Sequence, residues 1–360
     1  MGKIVVIGNA DFGLWLLRRE TIEGLVAHGH EVHALCPDGS CVEKLKSLGC
    51  QVHCTELSRH GTNPLQELKL FLTYLRFFKK VKPTMVFTYS IKPNLYGGLA
   101  TRLLKIPYAP NITGLGVAMQ NDTPLRKVLL KMYKLCLKKS ELIFFQNSAN
   151  LEFFKEQGLV GENYVLLPGS GVNTDRHAFE EYPAQEEKTS FLFVGRLMRD
   201  KGVYEYIEAA KQIKEKYPDV IFRMVGDAEA DFSEEFKALG AEECIQVYPA
   251  TDDVHSFMKN ASAVVVPSYH EGMSNVSLEA ASTGRPVISS KIPGCMEIIN
   301  EGVNGYSFEV KNSQALAEAM ERFINLPYEE RVRMGVAGRK KVEKEFNRET
   351  VVNEYIKAAR

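Results

Sequence analysis

The chain contains no run of apolar residues approaching the roughly 20 that span a bilayer as a helix, and it has 360 residues with a formal net charge of zero. Its start, MGKIVVIGNADFG, enters a strand at once, so no signal peptide is expected and the protein is expected to be cytoplasmic. The glycines of the first turn, Gly8 and Gly13, lack the G-x-G-x-x-G spacing of a dinucleotide site, which argues against a nucleotide-dependent oxidoreductase. Cys36, Cys41, Cys50, Cys54, Cys136, Cys244 and Cys295 follow no C-x2-C or H-x3-H spacing, so free thiols are expected rather than a metal centre or disulfides. D-x-D is also missing: Asp227-Ala-Glu229 is the nearest approach and reads as a polar loop after a strand. There is no aromatic–basic ladder and no finger motif, so nucleic acid is not an expected partner.

What is present is an alternation. Apolar runs of strand length, beginning at Lys3–Ile7, Glu31–Cys36 and Gln51–Cys54, recur between helical patterns through Tyr164–Leu167. After a connector around Gly169-Ser170-Gly171 and Phe179–Thr189, a second series runs from Ser190–Val194 to Pro286–Ser289 and ends in three helices. Short connections between alternating strands and helices predict parallel sheets covered on both faces. The fold class is therefore α/β, with two doubly wound Rossmann-like domains facing across a cleft. Residues 1–170 form the first domain, 171–345 the second, and 346–360 a helix that crosses back to the first.

The stretch Pro267–Glu279, PSYHEGMSNVSLE, follows the apolar run Ala263–Val266 and leads into a helix. A turn at the carboxyl edge of a parallel sheet, opening a helix, suits an anionic ligand. Were most of the span from Glu271 to Glu279 helical, a rise of roughly 1.5 Å per residue would separate them by about 12 Å. Glycosidase carboxylates lie roughly 5–9.5 Å apart, so this pair suits the two ends of one long polar ligand. Arg196 and Lys201 leave the end of the strand Ser190–Val194, and Gly202 opens the next helix. Fixed cations beside a helix N-terminus can seat a diphosphate.

Taken in order, Gly195-Arg196-x4-Lys201-Gly202, Pro267-Ser268-x2-Glu271-Gly272-x6-Glu279-Ala280 and Gly284-x-Pro286-Val287-Ile288 resemble the retaining GT-B glycosyltransferases of the family 4 type. Tyr89-Ser-Ile-Lys92-Pro-Asn94-Leu-Tyr-Gly97, Ile106-Pro107-Tyr108 and Thr113-Gly114-Leu115-Gly116 look most like the bacterial enzymes that add N-acetylhexosamine to polyprenyl-diphosphate-linked sugars. The resemblance implies a catalytic set of Arg196 and Lys201 on the donor diphosphate and Glu271 at the donor sugar. It implies that the N–H groups of Gly272, Met273 and Ser274 hold that sugar, that Glu279 binds the ribose, and that Gly13, Gly195 and Asn275 complete the donor site. It further implies a UDP-sugar donor, a polyprenyl-diphosphate-linked saccharide acceptor, and no metal or other cofactor. Many relatives place a histidine beside the reacting sugar; Asn111–Gly116 fills the comparable place here without one, so no general base is named. A UDP-N-acetylglucosamine 2-epimerase-like isomerase of the same architecture is the alternative.

Charge is divided unevenly. Residues 1–170 carry 21 Lys and Arg against 13 Asp and Glu, and residues 171–360 carry 24 against 32. In Leu125–Lys139, Lys127, Lys131, Lys134 and Lys138 recur on one helical face, opposite Val128, Leu129, Met132, Leu135 and Cys136. That face reads either as a solvated basic surface or as one that meets anionic lipid headgroups at the inner face of the cell membrane, with the apolar stripe kept in the core. Arg18, Lys92 and Asn94, with Lys127 and Lys131, are the candidates for the acceptor or its lipid diphosphate, Arg19 standing as an alternative to Arg18.

Overall fold

A computed structural model describes residues 1–56, 63–116, 119, 122–230 and 232–360. The chain divides into two compact units, one of Met1–Ser170 with Arg348–Arg360 and one of Gly171–Asn347.

The first unit holds seven parallel strands: β1 (Lys3–Ile7), β2 (Glu31–Cys36), β3 (Gln51–Cys54), β4 (Met85–Tyr89), β5 (Tyr108–Ile112), β6 (Ile143–Phe145) and β7 (Tyr164–Leu166). Their order is β3-β2-β1-β4-β5-β6-β7. Ile4, Val5, Val6 and Ile7 are all wholly buried, as a strand covered by helices on both faces requires. The helix Asp11–Ala27 starts earlier than the sequence suggests, and the Asp11 carboxylate in its first turn accepts the Cys41 N–H at 2.8 Å. The turn after β1 is therefore Gly8–Ala10, and Gly13 lies in the first helical turn.

The final helix, Arg348–Ala358, packs within this first unit. Its Tyr355 is wholly buried against Phe144 and Phe87, with ring centroids 4.5 and 5.0 Å away, and takes a hydrogen bond from Asn111 at 2.6 Å. Arg348 pairs with Glu20 at 2.7 Å. Phe346 and Asn347 group with the second unit instead, since Val172 donates its N–H to the Phe346 carbonyl at 2.8 Å.

The second unit holds six parallel strands: β8 (Ser190–Val194), β9 (Ile221–Val225), β10 (Gln246–Tyr248), β11 (Ala263–Val266), β12 (Val287–Ser290) and β13 (Gly305–Phe308). Their order is β10-β9-β8-β11-β12-β13. β13 is an edge strand that the sequence reading does not contain. It has four residues, and its Gly305 lies against the backbone of Val287, where a Cβ would come within 2.1 Å of the Val287 carbonyl oxygen.

Both sheets reverse winding once, between β1 and β4 and between β8 and β11. Ligands of open α/β sheets bind at the carboxyl ends of such neighbouring strands. In the second unit those are the two strands whose following loops carry Arg196 and Lys201, and Glu271.

Candidate functional site

The two loops are joined side by side. Lys201 ends a single 3-10 turn, Arg199–Lys201, and Gly202 then begins the helix Val203–Lys216. Gly202 sits at φ 72°, and a Cβ there would lie 2.1 Å from the Pro267 carbonyl oxygen, so only glycine lets the two loops approach this closely. From this footing Lys201 Nζ reaches Glu271 Oε1 at 2.5 Å, with both side chains about three-quarters or more covered. Arg196, about half exposed, pairs with Glu229 from the loop after β9. That loop is zipped to its neighbour by Leu197 N–H to the Asp227 carbonyl at 2.9 Å and Glu229 N–H to the Leu197 carbonyl at 3.1 Å. The acid of the Asp227-Ala-Glu229 look-alike is thus a counter-ion to Arg196, while Asp227 accepts the Ala250 N–H.

Downstream, Ser274 caps the helix Asn275–Ser282: its hydroxyl accepts the Ser277 N–H at 3.2 Å and the Ser277 hydroxyl at 2.7 Å. Four residues of the Glu271–Glu279 interval therefore precede the helix, and the 12 Å estimate, which assumed helix throughout, does not apply. The Ser274 N–H donates to the Gly294 carbonyl at 2.9 Å, so within this fold it is committed to the backbone and is not one of the donors offered to a ligand. Gly294 is tied to this loop from the other side, since a Cβ on it would meet the Glu271 carbonyl oxygen at 2.6 Å. Met273 is buried, packing with Val172, Leu278 and Ile298, and its side chain supports the loop from beneath. Asn275 Oδ1 is buried without a hydrogen bond. Glu279 faces His177, with Nε2 to Oε1 at 3.8 Å, and His177 is held in place through its carbonyl by Ser282 and Arg339.

Sequence reasoning passed over His177, Tyr269 and Glu205, and read Glu229 only as part of a polar loop. Tyr269 lies inside the singled-out stretch, but nothing in the sequence marks its hydroxyl as bonded to the buried Glu205 at 2.8 Å. His270 has its pKa pushed down, first by burial and next by Lys311, against the opposing pull of Asp200 and Glu271.

In the first unit Gly13 borders open space, its nearest neighbour being the Ala10 side chain at 3.9 Å from where a Cβ would stand. Packing does not demand glycine there. The acceptor candidates divide between the core and the surface of the first unit. Arg18 is only 3% exposed, with its guanidinium 4.3 Å over the Tyr89 ring, so it is a core residue of the first unit. Arg19 stacks on Trp15 and pairs with Glu20. Asn94 is 1% exposed and takes the Thr88 hydroxyl while donating to the Asn111 carbonyl, which makes it a brace between β4 and β5. Lys92 is mostly covered and paired with Glu67 at 2.6 Å. Lys127 and Lys131 are exposed on the helix Pro124–Leu137. The apolar stripe of that helix is not all in the core: Tyr133, Cys136 and Leu137 are buried, whereas Val128 and Leu135 are about half exposed. All seven cysteines are free, and no group of three or more metal-ligating side chains occurs among the described residues. No helix among them is long and apolar enough to cross a membrane.

Residues 3–147 match the model of the glycosyl transferase 4-like family, and residues 175–341 that of the glycosyl transferases group 1. An uncharacterized glycosyltransferase of Methanocaldococcus jannaschii is 34% identical over 302 residues, 79% of this chain and 82% of that protein. The chain belongs to the group 1, family 4-like glycosyltransferases. Its similarity extends to the N,N'-diacetylbacillosaminyl-diphospho-undecaprenol alpha-1,3-N-acetylgalactosaminyltransferase of Campylobacter jejuni, 27% identical over 93% of this chain and 92% of that one. Among solved structures, Anabaena HepE in complex with UDP-glucose superposes with a TM-score of 0.81 at 18% identity, covering 99% of both chains. The fold of this glycosyltransferase is GT-B, and the matches are to transferases, so the isomerase alternative is not favoured.

Proposed function

We propose that this glycosyltransferase moves a sugar, an N-acetylhexosamine, from a UDP-sugar to a polyprenyl-diphosphate-linked saccharide with retention of anomeric configuration. The observation that carries this reading is the convergence of Lys201 and Glu271 on the two strands of the winding reversal, with Arg196 on the same loop as Lys201. Arg196 and Lys201 would exchange their carboxylate partners for the donor diphosphate, and Glu279 would take the ribose. Among the described residues, the serines of these two loops, Ser268 and Ser274, have no carboxylate or imidazole hydrogen-bonded to them, and the Ser274 hydroxyl is engaged in the helix cap. That suits a reaction in which the acceptor hydroxyl attacks from the face of the leaving group and the departing phosphate oxygen takes the proton. Rate acceleration then rests on positioning and on stabilising charge as it grows on the leaving diphosphate. The two cations supply that charge, and the reaction is metal-independent.

The acceptor half of the proposal is supported by the Campylobacter relative, whose name carries a diphospho-undecaprenol-linked sugar. The decisive assay is UDP release from UDP-N-acetylhexosamine in the presence of EDTA. Release that requires an added prenyl-diphosphate sugar is expected, and turnover without any acceptor, or only with a restored divalent ion, would count against the reading.

A lipid-linked acceptor also calls for a membrane-facing surface. Exposed Lys127, Lys131 and Lys134 alternate with half-exposed Val128 and Leu135 on the helix Pro124–Leu137, a mixture suited to anionic headgroups and the acyl boundary beneath them. The protein is expected to float with anionic liposomes at low salt and to release at high salt. Charge reversal at Lys127, Lys131 and Lys134 should abolish flotation; unchanged capture would remove this face from the proposal.

A further inference from the structure

We propose that Tyr269 and Glu205 form a clamp that holds the Lys201 loop and the Glu271 loop in register, making both positioning residues for donor binding. This inference rests on the donor-site reading above. Tyr269 stands two residues before Glu271, and Glu205 four after Lys201. The Tyr269 hydroxyl donates to Glu205 Oε1 at 2.8 Å, and the Tyr269 N–H donates to the Asp200 carbonyl at 2.9 Å. Close to these contacts the Gly202 backbone touches Pro267. One tyrosine therefore crosslinks the loops through its main chain and its side chain, on either side of Lys201.

The pair is buried, Tyr269 at 9% exposure and Glu205 at 8%, and Glu205 Oε2 is enclosed without a hydrogen bond. Burying a carboxylate against one neutral partner is costly, and a leucine facing a phenylalanine would pack the same space without that cost. What a leucine cannot supply is a directional bond that fixes one register. Burial, and then the carboxylate itself, push the phenol's pKa upward, so the hydroxyl remains a donor. The Lys311 ammonium lies over the same ring, 4.8 Å from its centre, within cation–π range.

The test compares wild type with Y269F, E205Q, E205L and the double variant Y269F/E205L. UDP affinity is read by calorimetry, hydrogen exchange over peptides spanning 196–205 and 267–276, and stability by thermal melting. E205Q keeps an acceptor and should bind UDP like wild type. Y269F, E205L and the double variant should each lose about tenfold in affinity, the scale of one lost hydrogen bond, and the double should be no weaker than either single. Exchange in both peptides should quicken in the same three variants. The apolar double variant should melt no lower than wild type, which separates positioning from stability. A double variant, or Y269F should the double not fold, with wild-type UDP affinity and wild-type exchange would overturn the clamp. Wild type that bound no UDP would overturn the donor reading alone, because the exchange rates would still report on the clamp.

Discussion

Lys201→Ala is expected to lower kcat by roughly 10²–10³-fold, the loss typical of removing one preorganised group that stabilises transition-state charge. Arg196→Ala is expected to act in the same direction and by less. The ranking follows from solvent. Lys201 is one-quarter exposed and faces a Glu271 that is covered still further, whereas Arg196 is about half exposed beside Glu229. Charges screened by water contribute less than those held away from it. Removing Lys201 also leaves the Glu271 carboxylate of the unliganded site without its counter-ion. Because Glu271 is assigned to the donor sugar, adding Glu271→Gln to Lys201→Ala should raise the donor KM further. Steady-state kinetics on the donor measures all three variants. Wild-type turnover in Lys201→Ala would remove the diphosphate seat from the mechanism.

The second large effect is on stability. Arg285 has no exposed surface, and its guanidinium donates to the carbonyls of Met258, Glu180, Thr283, Gly284, Glu181 and Lys259 at 2.6–3.2 Å. Burial lowers its pKa to about 10, which still leaves it charged at neutral pH. These bonds join the connector at Glu180 and Glu181 to the ends of the helices His255–Met258 and Asn275–Ser282. Arg285→Leu would leave several of those carbonyls buried and unsatisfied, at about 1–3 kcal/mol each. A total of at least ~4 kcal/mol is expected, enough to lower the melting temperature by about 10 °C or more. Arg285→Lys should rescue little, because an ammonium has three donors where the guanidinium has five in a fixed fork. Calorimetric melting checks this, and a leucine variant melting within a few degrees of wild type would show that the connector is held by other means.

Arg285 also shows where sequence reading stops. In the motif Gly284-x-Pro286 it stood only as the unspecified middle position, since its partners lie up to 105 positions away along the chain. The surroundings of Lys92, Asn94 and Arg18 were set in the same way, by partners from other segments of the chain. A lysine written in a sequence carries no record of Glu67, an asparagine none of Thr88, and an arginine none of the tyrosine it stacks upon. On the helix Pro124–Leu137 the period was right, but the boundary between core and solvent was set by what packed against it, and Val128 and Leu135 fell outside. β13 escaped notice because four residues with a glycine at the start carry too little periodicity to separate a strand from a loop.

Local chemistry determined a good deal. The buried strands announce themselves as apolar runs bounded by turn residues, because a parallel strand covered on both faces has no polar positions to offer. Ser274 before Asn275, and Gly202 before Val203, fix helix starts through a hydroxyl acceptor and a left-handed backbone. The alternation of apolar runs with helical patterns carried the fold class, and the ordered motifs around Arg196 and Lys201, Glu271 and Glu279, and Gly284–Ile288 carried the resemblance to the glycosyltransferase family. Only the tertiary structure decided which charges face each other. The pairing of Lys201 with Glu271, of Arg196 with Glu229 and of Tyr269 with Glu205 depends on β8 lying between β9 and β11, an order that hydrogen bonding between distant segments imposes and no local pattern encodes.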